Sequence, residues 1–270
     1  MEITVLMENE EVGGGLHAEH GLCLHIRTPL HTLVMDTGAS DAAWENAALL
    51  GIDIGQADLA VISHGHYDHA GGLMGFAGAN PNADIYIRSG SFGEFYHGEK
   101  YIGVDGRVKA LPHLHMIEDD VTFIDEELTL FSGIGGRRLW PRGNGELTEK
   151  VCGCDVQDSF AHEQCLVIRS GGKSLLISGC AHNGILNILD RYEALFHAWP
   201  DVVMSGFHMM KTGEYTAPEI AAIRETAHEL NRLPTDFYTG HCTGPFAFSL
   251  MKGIMGGKLR KLRVGNVISI

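Results

Sequence analysis

A six-residue run contains four side chains of the types that bind metal ions in proteins: His64, His66, Asp68 and His69. The run directly follows the apolar residues 59–63, which predict a buried strand. In an extended segment, residues two positions apart point to the same side, so His64 and His66 are expected to bind one ion. Where the chain turns into a helix, Asp68 and His69 are expected to face a neighbouring ion. A solvated polar loop is the alternative interpretation of this run.

One loop cannot complete the ligand sets of two ions, so further histidines are expected from the ends of other strands. His182 follows the predicted strand 174–178, and His241 follows the predicted strand 236–239. Each histidine also precedes a helix flanked by glycine, which is the placement of the first motif. We therefore predict that both are metal ligands, with a capping or core histidine as the alternative.

The roles of several other residues stay open at this point. His208 follows the predicted strand 201–205 and is expected to bind metal or to contact the substrate. His162 is as easily a core residue as a ligand. Cys180 is expected either to bind metal as a thiolate or to be a small buried thiol. Residues 152–154 (Cys-Gly-Cys) lack a second paired cysteine motif, so we do not interpret them as a zinc site. No role is assigned to nine histidines, most of which are expected at the surface: His17, His20, His25, His31, His97, His113, His115, His197 and His228.

The composition narrows the class of protein. Of 270 residues, 44% are hydrophobic, which predicts a folded globular protein. The net charge of −14 argues against a nucleic-acid partner, because such proteins usually present a basic face. No apolar run approaches the roughly 18 residues needed to cross a bilayer. The first residues lack the features of a secretory signal, so we expect a cytoplasmic protein with reduced cysteines. The 16 histidines are a further hint of a metal site.

Extended and helical segments alternate along the chain with no repeat and no low-complexity linker, which predicts a single domain over residues 1–270. Such an alternation favours a layered α/β arrangement, because both faces of each sheet must be covered. Strands are predicted at 2–8, 21–27, 31–35, 59–63, 84–88, 165–169, 174–178, 201–205 and 236–239, with a hairpin over 121–131. Helices are predicted at 41–50, 70–77, 183–199, 216–230 and 245–251. Residues 89–115 and 132–145 are predicted to be irregular.

The H-x-H-x-D-H run at 64–69, with Asp36-Thr37-Gly38 at the end of an earlier strand, resembles the metallo-β-lactamase superfamily. More narrowly, residues 178–185 (SGCAHNGI), 206–208 (GFH) and 239–244 (TGHCTG) resemble the branch of dihydropterin-methyl-ribofuranosylaminobenzene 5'-phosphate synthases, which is linked to methanopterin biosynthesis. The resemblance spans residues 31–245. It implies a four-layer αββα sandwich with the metal site at the open edge between two sheets.

The resemblance also implies roles for individual residues. His182 and His241 would join the first motif as ligands, and Asp36 would support the ligands without binding metal itself. Many hydrolases of this superfamily carry a bridging aspartate at the strand end where this chain has Cys180. We therefore expect one ion to be bound firmly and the second weakly or not at all.

The expected function is that of a metal-dependent hydrolase-fold enzyme, with pterin-related synthase activity as the narrower hypothesis. One or two divalent ions are expected, zinc being favoured by the imidazole-rich set, with manganese or iron as alternatives. Asp68 is expected to orient a water molecule and His208 to donate a proton to the reacting group. The alternative is a metal-binding or redox-linked protein without hydrolytic turnover. A third class, a structural protein without metal, conflicts with the intact first motif.

The expected partner is a small molecule, with a phosphorylated substrate as one option. The loop 132–145 is rich in glycine and arginine, and a solvated loop and a phosphate contact are equally good interpretations of it. The arginines of this loop are Arg137, Arg138 and Arg142. The sequence indicates no oligomeric state.

Overall fold

The computed structural model describes residues 1–270 as eighteen strands and six α-helices joined by loops and short 3-10 turns. The strands are β1 (Glu2–Met7), β2 (Cys23–Arg27), β3 (Thr32–Met35), β4 (Leu59–Val61), β5 (Asp84–Arg88), β6 (Phe95–His97), β7 (Lys100–Tyr101), β8 (Leu114–Ile117), β9 (Val121–Phe123), β10 (Leu128–Phe131), β11 (Leu147–Val151), β12 (Cys154–Gln157), β13 (Cys165–Ser170), β14 (Lys173–Ser178), β15 (Val202–Ser205), β16 (Asp236–Thr239), β17 (Leu259–Lys261) and β18 (Val267–Ser269). The helices are α1 (Ala42–Leu49), α2 (Tyr67–Ala70), α3 (Leu73–Ala79), α4 (Ile185–Phe196), α5 (Ala217–Arg232) and α6 (Pro245–Met255). No helix combines the length and the apolar composition that a membrane crossing needs.

Two seven-stranded sheets pack face to face and form the two central layers. The strand order is β18-β1-β2-β3-β4-β5-β8 in the first sheet and β17-β16-β15-β14-β13-β10-β9 in the second. Alternate side chains of both sheets meet in one apolar cluster, which includes Leu24 and Met35 from the first sheet and Leu166 and Ile177 from the second. Because each strand points its other side chains outward, both sheets need a second cover.

Helices supply that cover on both outer faces. On the first sheet, Ala47 of α1 and Phe76 of α3 belong to the same buried cluster as strand residues. On the second sheet, α4, α5 and α6 bury residues such as Leu189 and Met251 against Val203. The predicted four-layer αββα sandwich is therefore confirmed.

Parallel pairing brings the functional loops together at one edge. Strands β3, β4 and β5 are parallel in the first sheet, and β14, β15, β16 and β17 are parallel in the second. Met35 is in register with Val61, and Ser178 is in register with Ser205. The loops that follow these strands therefore leave the sheets at the same level, as expected for parallel strands whose carboxyl ends carry a site.

A third sheet lies in segments that the sequence does not identify as strands. It has the order β12-β11-β6-β7, and β6 and β7 lie inside the stretch 89–115 that was predicted to be irregular. Strand β12 is exposed along its whole length, so it lacks the alternation of buried and exposed residues that predicts a strand. The predicted helix 70–77 also differs, because α2 ends at Ala70 and α3 begins at Leu73.

At the edge opposite the site, polar side chains join the two large sheets. Nε2 of His31, from the β2–β3 turn, lies 2.5 Å from Oδ2 of Asp125, from the β9–β10 turn. Asp125 also accepts the backbone N–H groups of Glu127 and Leu128 at 2.8 and 2.9 Å. Burial raises the pKa of Asp125, but these backbone donors and His31 outweigh burial and lower the pKa below its ordinary value.

We expect Asp125→Asn to lower Tm by roughly 2–4 °C at pH 7, which is the effect of about 1 kcal/mol in a chain of this size. A lowered pKa in the folded state contributes stability above the ordinary carboxyl pKa, and that contribution disappears as the pH falls through the folded value. The Tm difference between the two proteins should therefore shrink below about pH 4. Thermal unfolding across pH measures it, and a constant difference would contradict the assignment.

Candidate metal centre

The predicted ligands come from loops at the ends of parallel strands. His64 follows β4, and His182 and His241 follow β14 and β16. Several residues in these loops adopt a left-handed backbone that side chains other than glycine rarely take, including Ala181 (φ 52°), His208 (φ 47°) and His241 (φ 46°). Strain of this kind often occurs at functional sites, since packing must hold it in place.

Three histidines form the first group of possible ligands. His64, His66 and His182 each place one ring nitrogen within 4.8 Å of the others, and all three residues are buried. The Nε2 atoms of His64 and His182 are 3.3 Å apart. The ring of His66 lies 4.6 Å from that of His64, measured between centroids. The structure thus completes the pair predicted within the first motif with a histidine from the other sheet.

The second group lies beside the first. Asp68, His69, Cys180 and His241 are buried and place their ligand atoms within 4.8 Å of one another. Nε2 of His69 is 3.2 Å from both Nε2 of His241 and Sγ of Cys180. Nε2 of His241 is 3.3 Å from Oδ2 of Asp68. The thiol of Cys180 therefore lies where the family resemblance implies a bridging carboxylate in many related hydrolases.

The Nδ1 atoms of these histidines are held by other groups, which leaves the Nε2 atoms to converge. Nδ1 of His182 lies 3.0 Å from Oδ1 of Asn144, and Nδ1 of His241 lies 3.1 Å from Oδ1 of Asn9. An amide oxygen only accepts hydrogen bonds, so both Nδ1 atoms carry the proton and both Nε2 atoms present a lone pair. Hydrogen bonds of this kind fix the tautomer of metal-binding histidines.

The same arrangement holds for the histidines of the first motif. Nδ1 of His69 donates to Oδ2 of Asp36 at 2.6 Å. The hydroxyl of Ser63 donates to Asp36 at 2.8 Å, so its oxygen can accept Nδ1–H of His64, also at 2.8 Å. Asp36 has no exposed surface, and its second oxygen accepts the backbone N–H of Ser63 at 2.7 Å. It thus supports two ligands from behind, as the resemblance implies.

These nitrogen atoms fit a divalent cation. The lone pairs of His64 and His182, whose Nε2 atoms face each other at 3.3 Å, repel unless a positive charge lies between them. Two nitrogen ligands of a tetrahedral ion at bond lengths of about 2.0–2.1 Å are separated by about 3.3 Å. Nε2 of His66 is buried 3.7 Å from Oδ2 of Asp158. The donor set, its tautomers and its spacing all match what a metal ion requires.

The protonation states of His64, His182 and Asp68 agree with ligand binding. Burial, together with the neighbouring imidazoles, holds the pKa values of His64 and His182 well below the ordinary value. Burial raises the pKa of Asp68, but His69 and His241 outweigh burial and bring it far below the ordinary carboxyl range. A neutral imidazole and an ionised carboxylate are the forms that bind metal. His69 differs: burial lowers its pKa, but Asp36 and Asp68 outweigh burial and raise it to about 9, so its Nε2 proton must leave when a metal ion binds.

His162 and His208 lie beside the two groups in different ways. Nδ1 of His162 accepts the backbone N–H of Gly65 at 2.9 Å, and its Nε2 donates to Asp158 at 3.2 Å. Both ring nitrogens are used, so His162 shapes the His64 loop and does not face the ions. The ring of His208 lies 4.2 Å from that of His182, with its buried Nδ1 unpaired.

The sequence analysis missed several residues that the structure brings to the site. His20, assigned no role, lies with Nε2 3.4 Å from Oδ2 of Asp68. Glu163 accepts the backbone N–H groups of His182 and Asn183 at 2.7 and 3.0 Å and so orients the His182 loop. Asn144 donates to the backbone oxygen of His182 at 2.7 Å. Nothing in the local sequence pattern distinguishes these residues from ordinary polar loop residues.

Close packing behind the first motif requires a residue without a side chain at position 71. A Cβ atom on Gly71 would overlap the backbone carbonyl of Ala39. We expect Gly71→Ala to lower the free energy of unfolding by about 1–3 kcal/mol, because a backbone carbonyl cannot move aside as a flexible side chain can.

Gly78 is the matched control, since it is exposed in α3 with no atom within 4 Å of an added Cβ. Gly78→Ala should be neutral or stabilising by up to about 1 kcal/mol. Urea unfolding of both variants measures the contrast, and equal effects would refute it.

Comparison with known proteins is consistent with this geometry. A family model described as the metallo-beta-lactamase superfamily matches residues 18–148. The crystal structure of Tm1679, described as a metal-dependent hydrolase of the beta-lactamase superfamily, is 31% identical to this chain. It superposes with a TM-score of 0.85, and the match covers 100% of this chain and 99% of that one. The chain belongs to the metallo-β-lactamase superfamily.

Two relatives from Methanocaldococcus jannaschii are similar over most of the chain. One is an uncharacterised protein that is 29% identical over 200 residues, which cover 72% of this chain and 74% of the relative. The other is a 7,8-dihydropterin-6-methyl-4-(beta-D-ribofuranosyl)-aminobenzene-5'-phosphate synthase, 22% identical, with coverage of 93% and 90%. The chain is thus similar to that synthase over most of its length, but at low sequence identity. At the coarse level, this superfamily member has the fold of a metal-dependent hydrolase and a residue set suited to a divalent metal.

Proposed function

We propose that this protein is an enzyme that holds one or two divalent ions through His64, His66, His182, Asp68, His69 and His241, and hydrolyses a small-molecule substrate there. The observation that carries this proposal is the pair of Nε2···Nε2 contacts at 3.2 and 3.3 Å. Both contacts join loops of different sheets, so the fold itself brings imidazoles from both sheets to one edge. Cys180 completes the second group as a possible thiolate ligand.

A bound divalent ion lowers the pKa of water from about 15.7 to about 7 and polarises a carbonyl or phosphoryl oxygen. The protein's own groups supply the rest. Asp68 is held ionised, and an ionised carboxylate accepts a proton or orients a water molecule by accepting its hydrogen bond. His208 lies next to His182 and Cys180, with ligand atoms within 4.8 Å of both. Its imidazole can give a proton to a leaving oxygen.

The narrower proposal is a pterin-related synthase activity. It rests on the 22% identical synthase, which matches 93% of this chain, and on the residues 178–185, 206–208 and 239–244 that resemble that branch. Zinc is the proposed ion, because the donor set is mostly imidazole. Manganese and iron are the alternatives that a carboxylate also accepts.

The test begins with protein purified without chelator. Its metal content is measured, the metal is removed, and hydrolysis of phosphoester, lactone and thioester substrates and conversion of pterin substrates are followed before and after zinc, manganese or iron is restored. We expect turnover that disappears on removal and returns with one of the three ions. Tightly held metal without turnover on any substrate would instead favour the alternative, a metal-binding or redox-linked protein. Absence of metal would refute both.

A further inference from the structure

A cavity of about 320 Å³ opens beside the proposed metal centre. His208 belongs to its wall, and the ring of His208 lies 4.2 Å from the ring of His182. The cavity volume falls in the usual range of about 300–1,000 Å³ for small-molecule sites. A molecule that fills this cavity would therefore have one end near the ligand His182 and the remainder some distance from the ions.

The walls of the cavity are mostly apolar and partly aromatic. Trp140 comes from the loop before β11, Met209 and Met210 come from the loop after β15, and Ile223 comes from α5. Tyr215 also lines the cavity, and its hydroxyl donates to the backbone oxygen of Met209 at 3.0 Å. A flat aromatic ligand suits such walls, because its ring can stack on the face of an aromatic side chain and can contact the sulfur atom of a methionine.

The charges in the walls are paired, with one exception. Lys211 binds Glu219 at 3.0 Å, and His97 lies 3.0 Å from Glu146. Arg142 is exposed, lines the cavity and has no carboxylate within ion-pair distance. An unpaired guanidinium at the rim of an apolar cavity suits an anionic group on the ligand, since it can form charge-assisted hydrogen bonds.

The other two arginines of this loop are already engaged. Arg138 binds Asp190 at 3.0 Å and Glu229 at 3.3 Å. The guanidinium of Arg137 lies 4.2 Å from the centroid of the Trp140 ring. Of the three arginines, Arg142 is therefore the one whose charge is left for a ligand.

One ring nitrogen in the walls, Nε1 of Trp140, is buried without a partner. An unsatisfied buried polar group costs about 1–3 kcal/mol. A ligand that carries polar atoms beside its ring can recover part of this cost, which a purely hydrocarbon ligand cannot.

We propose that this cavity binds the aromatic part of an anionic substrate, with the ring against Trp140 and the methionines and the anionic group at Arg142. The inference deepens the proposed function, because it names the substrate class of the same site. It explains why the loop that carries Asn144, which braces His182, also carries Arg142 at the cavity rim.

The test compares two probes by isothermal titration calorimetry: 1-naphthalenesulfonate, which is anionic, and 1-naphthol, which is neutral at pH 7. Each is titrated into the full chain, Arg142→Gln and the matched control Arg138→Gln, which removes the same charge from the same loop outside the cavity. We expect Arg142→Gln to weaken sulfonate binding about 10-fold, as for a lost charge-assisted hydrogen bond, with naphthol binding unchanged. Arg138→Gln should stay within about twofold of the parent protein for both probes.

Three outcomes would overturn the inference: no saturable binding, equal affinity of Arg142→Gln and the parent protein, or an equal loss in Arg138→Gln. The titrations are repeated on protein stripped of metal. Retained sulfonate binding there supports the cavity, whereas its loss would show that the sulfonate binds the ion and would overturn the proposal. Because no turnover is measured, the cavity can be verified even if every hydrolysis assay fails.

Discussion

Replacement of His66 by alanine is expected to lower kcat/KM by at least about 100-fold while the protein stays folded. Substitution of residues that merely orient a metal ligand costs about 10–100-fold, and His66 is proposed as a ligand itself. Its ring lies 4.6 Å from that of His64 and 4.9 Å from that of His182, within the first group of possible ligands. Initial rates and metal content per chain measure the effect, with circular dichroism as the check on folding.

His113→Ala is the matched control for this experiment. His113 is about half-exposed on the outer part of the first sheet, where its Nδ1 lies 3.7 Å from Asp84. Its loss should change neither the rate nor the metal content. Full activity of His66→Ala would contradict the account, as would an equal loss in both variants. His66→Gln keeps much of the side-chain volume, so it separates loss of the ligand from loss of packing if the alanine variant is unstable.

Asp36→Ala is expected to cause the largest loss of stability, about 3–5 kcal/mol, because it breaks a buried ionic contact. The carboxylate accepts hydrogen bonds from the backbone of Ser63 at 2.7 Å and from Nδ1 of His69 at 2.6 Å. Removing it leaves both donors unpaired in the interior. The left-handed backbone of Asp36, with φ of 59°, adds to the cost, since alanine adopts it less readily than aspartate. Urea unfolding measures the change.

Asp36→Asn tests whether Asp36 orients His69 as well as stabilising the fold. Asparagine keeps the shape and the acceptor for Ser63, and it tolerates the left-handed backbone. Its amide group would turn an N–H towards Nδ1 of His69 and favour the tautomer that carries the proton on Nε2. We therefore expect a small loss of stability but a decrease of about 10–100-fold in metal affinity. Asp84→Asn is the control, because Asp84 also binds a histidine, His115, at 2.8 Å at the surface. An unchanged affinity in Asp36→Asn would refute the orienting role.

The position of the site was predictable because its ligands follow apolar strands. The runs before His64, His182, His208 and His241 indicate buried strands, and parallel strands deliver the residues after them to one edge. This logic needs only the local pattern, and the structure brings the predicted ligands of both groups to that edge. The supporting role of Asp36 came from the family resemblance instead, and its strand pairs with the strand before His64.

The partners behind the ligands were not predictable, because their pairing depends on residues far apart in the chain. Asn144 meets His182 from 38 positions away, and Asn9 meets His241 from 232 positions away. Each is a small polar residue next to glycine or glutamate, a pattern typical of solvated loops. His20 is similar, since only the folded chain brings it beside Asp68.

The third sheet escaped detection for a different physical reason. Its strands β7 and β12 are exposed along their length, so no buried face imposes alternation on their residues. Yet this sheet contributes to the proposed substrate cavity, because His97 of β6 and Leu147 of β11 line it together with His208. The part of the fold that is hardest to recognise from its sequence thus surrounds the proposed substrate site.

The most direct test is the anomalous scattering of a crystal of the protein grown with its metal. The account predicts the strongest peak at roughly 2.0–2.2 Å from Nε2 of both His64 and His182. Any second peak should lie among Asp68, His69 and His241. A strongest peak bound by other residues, or imidazoles of His64 and His182 directed away from a common ion, would contradict the account.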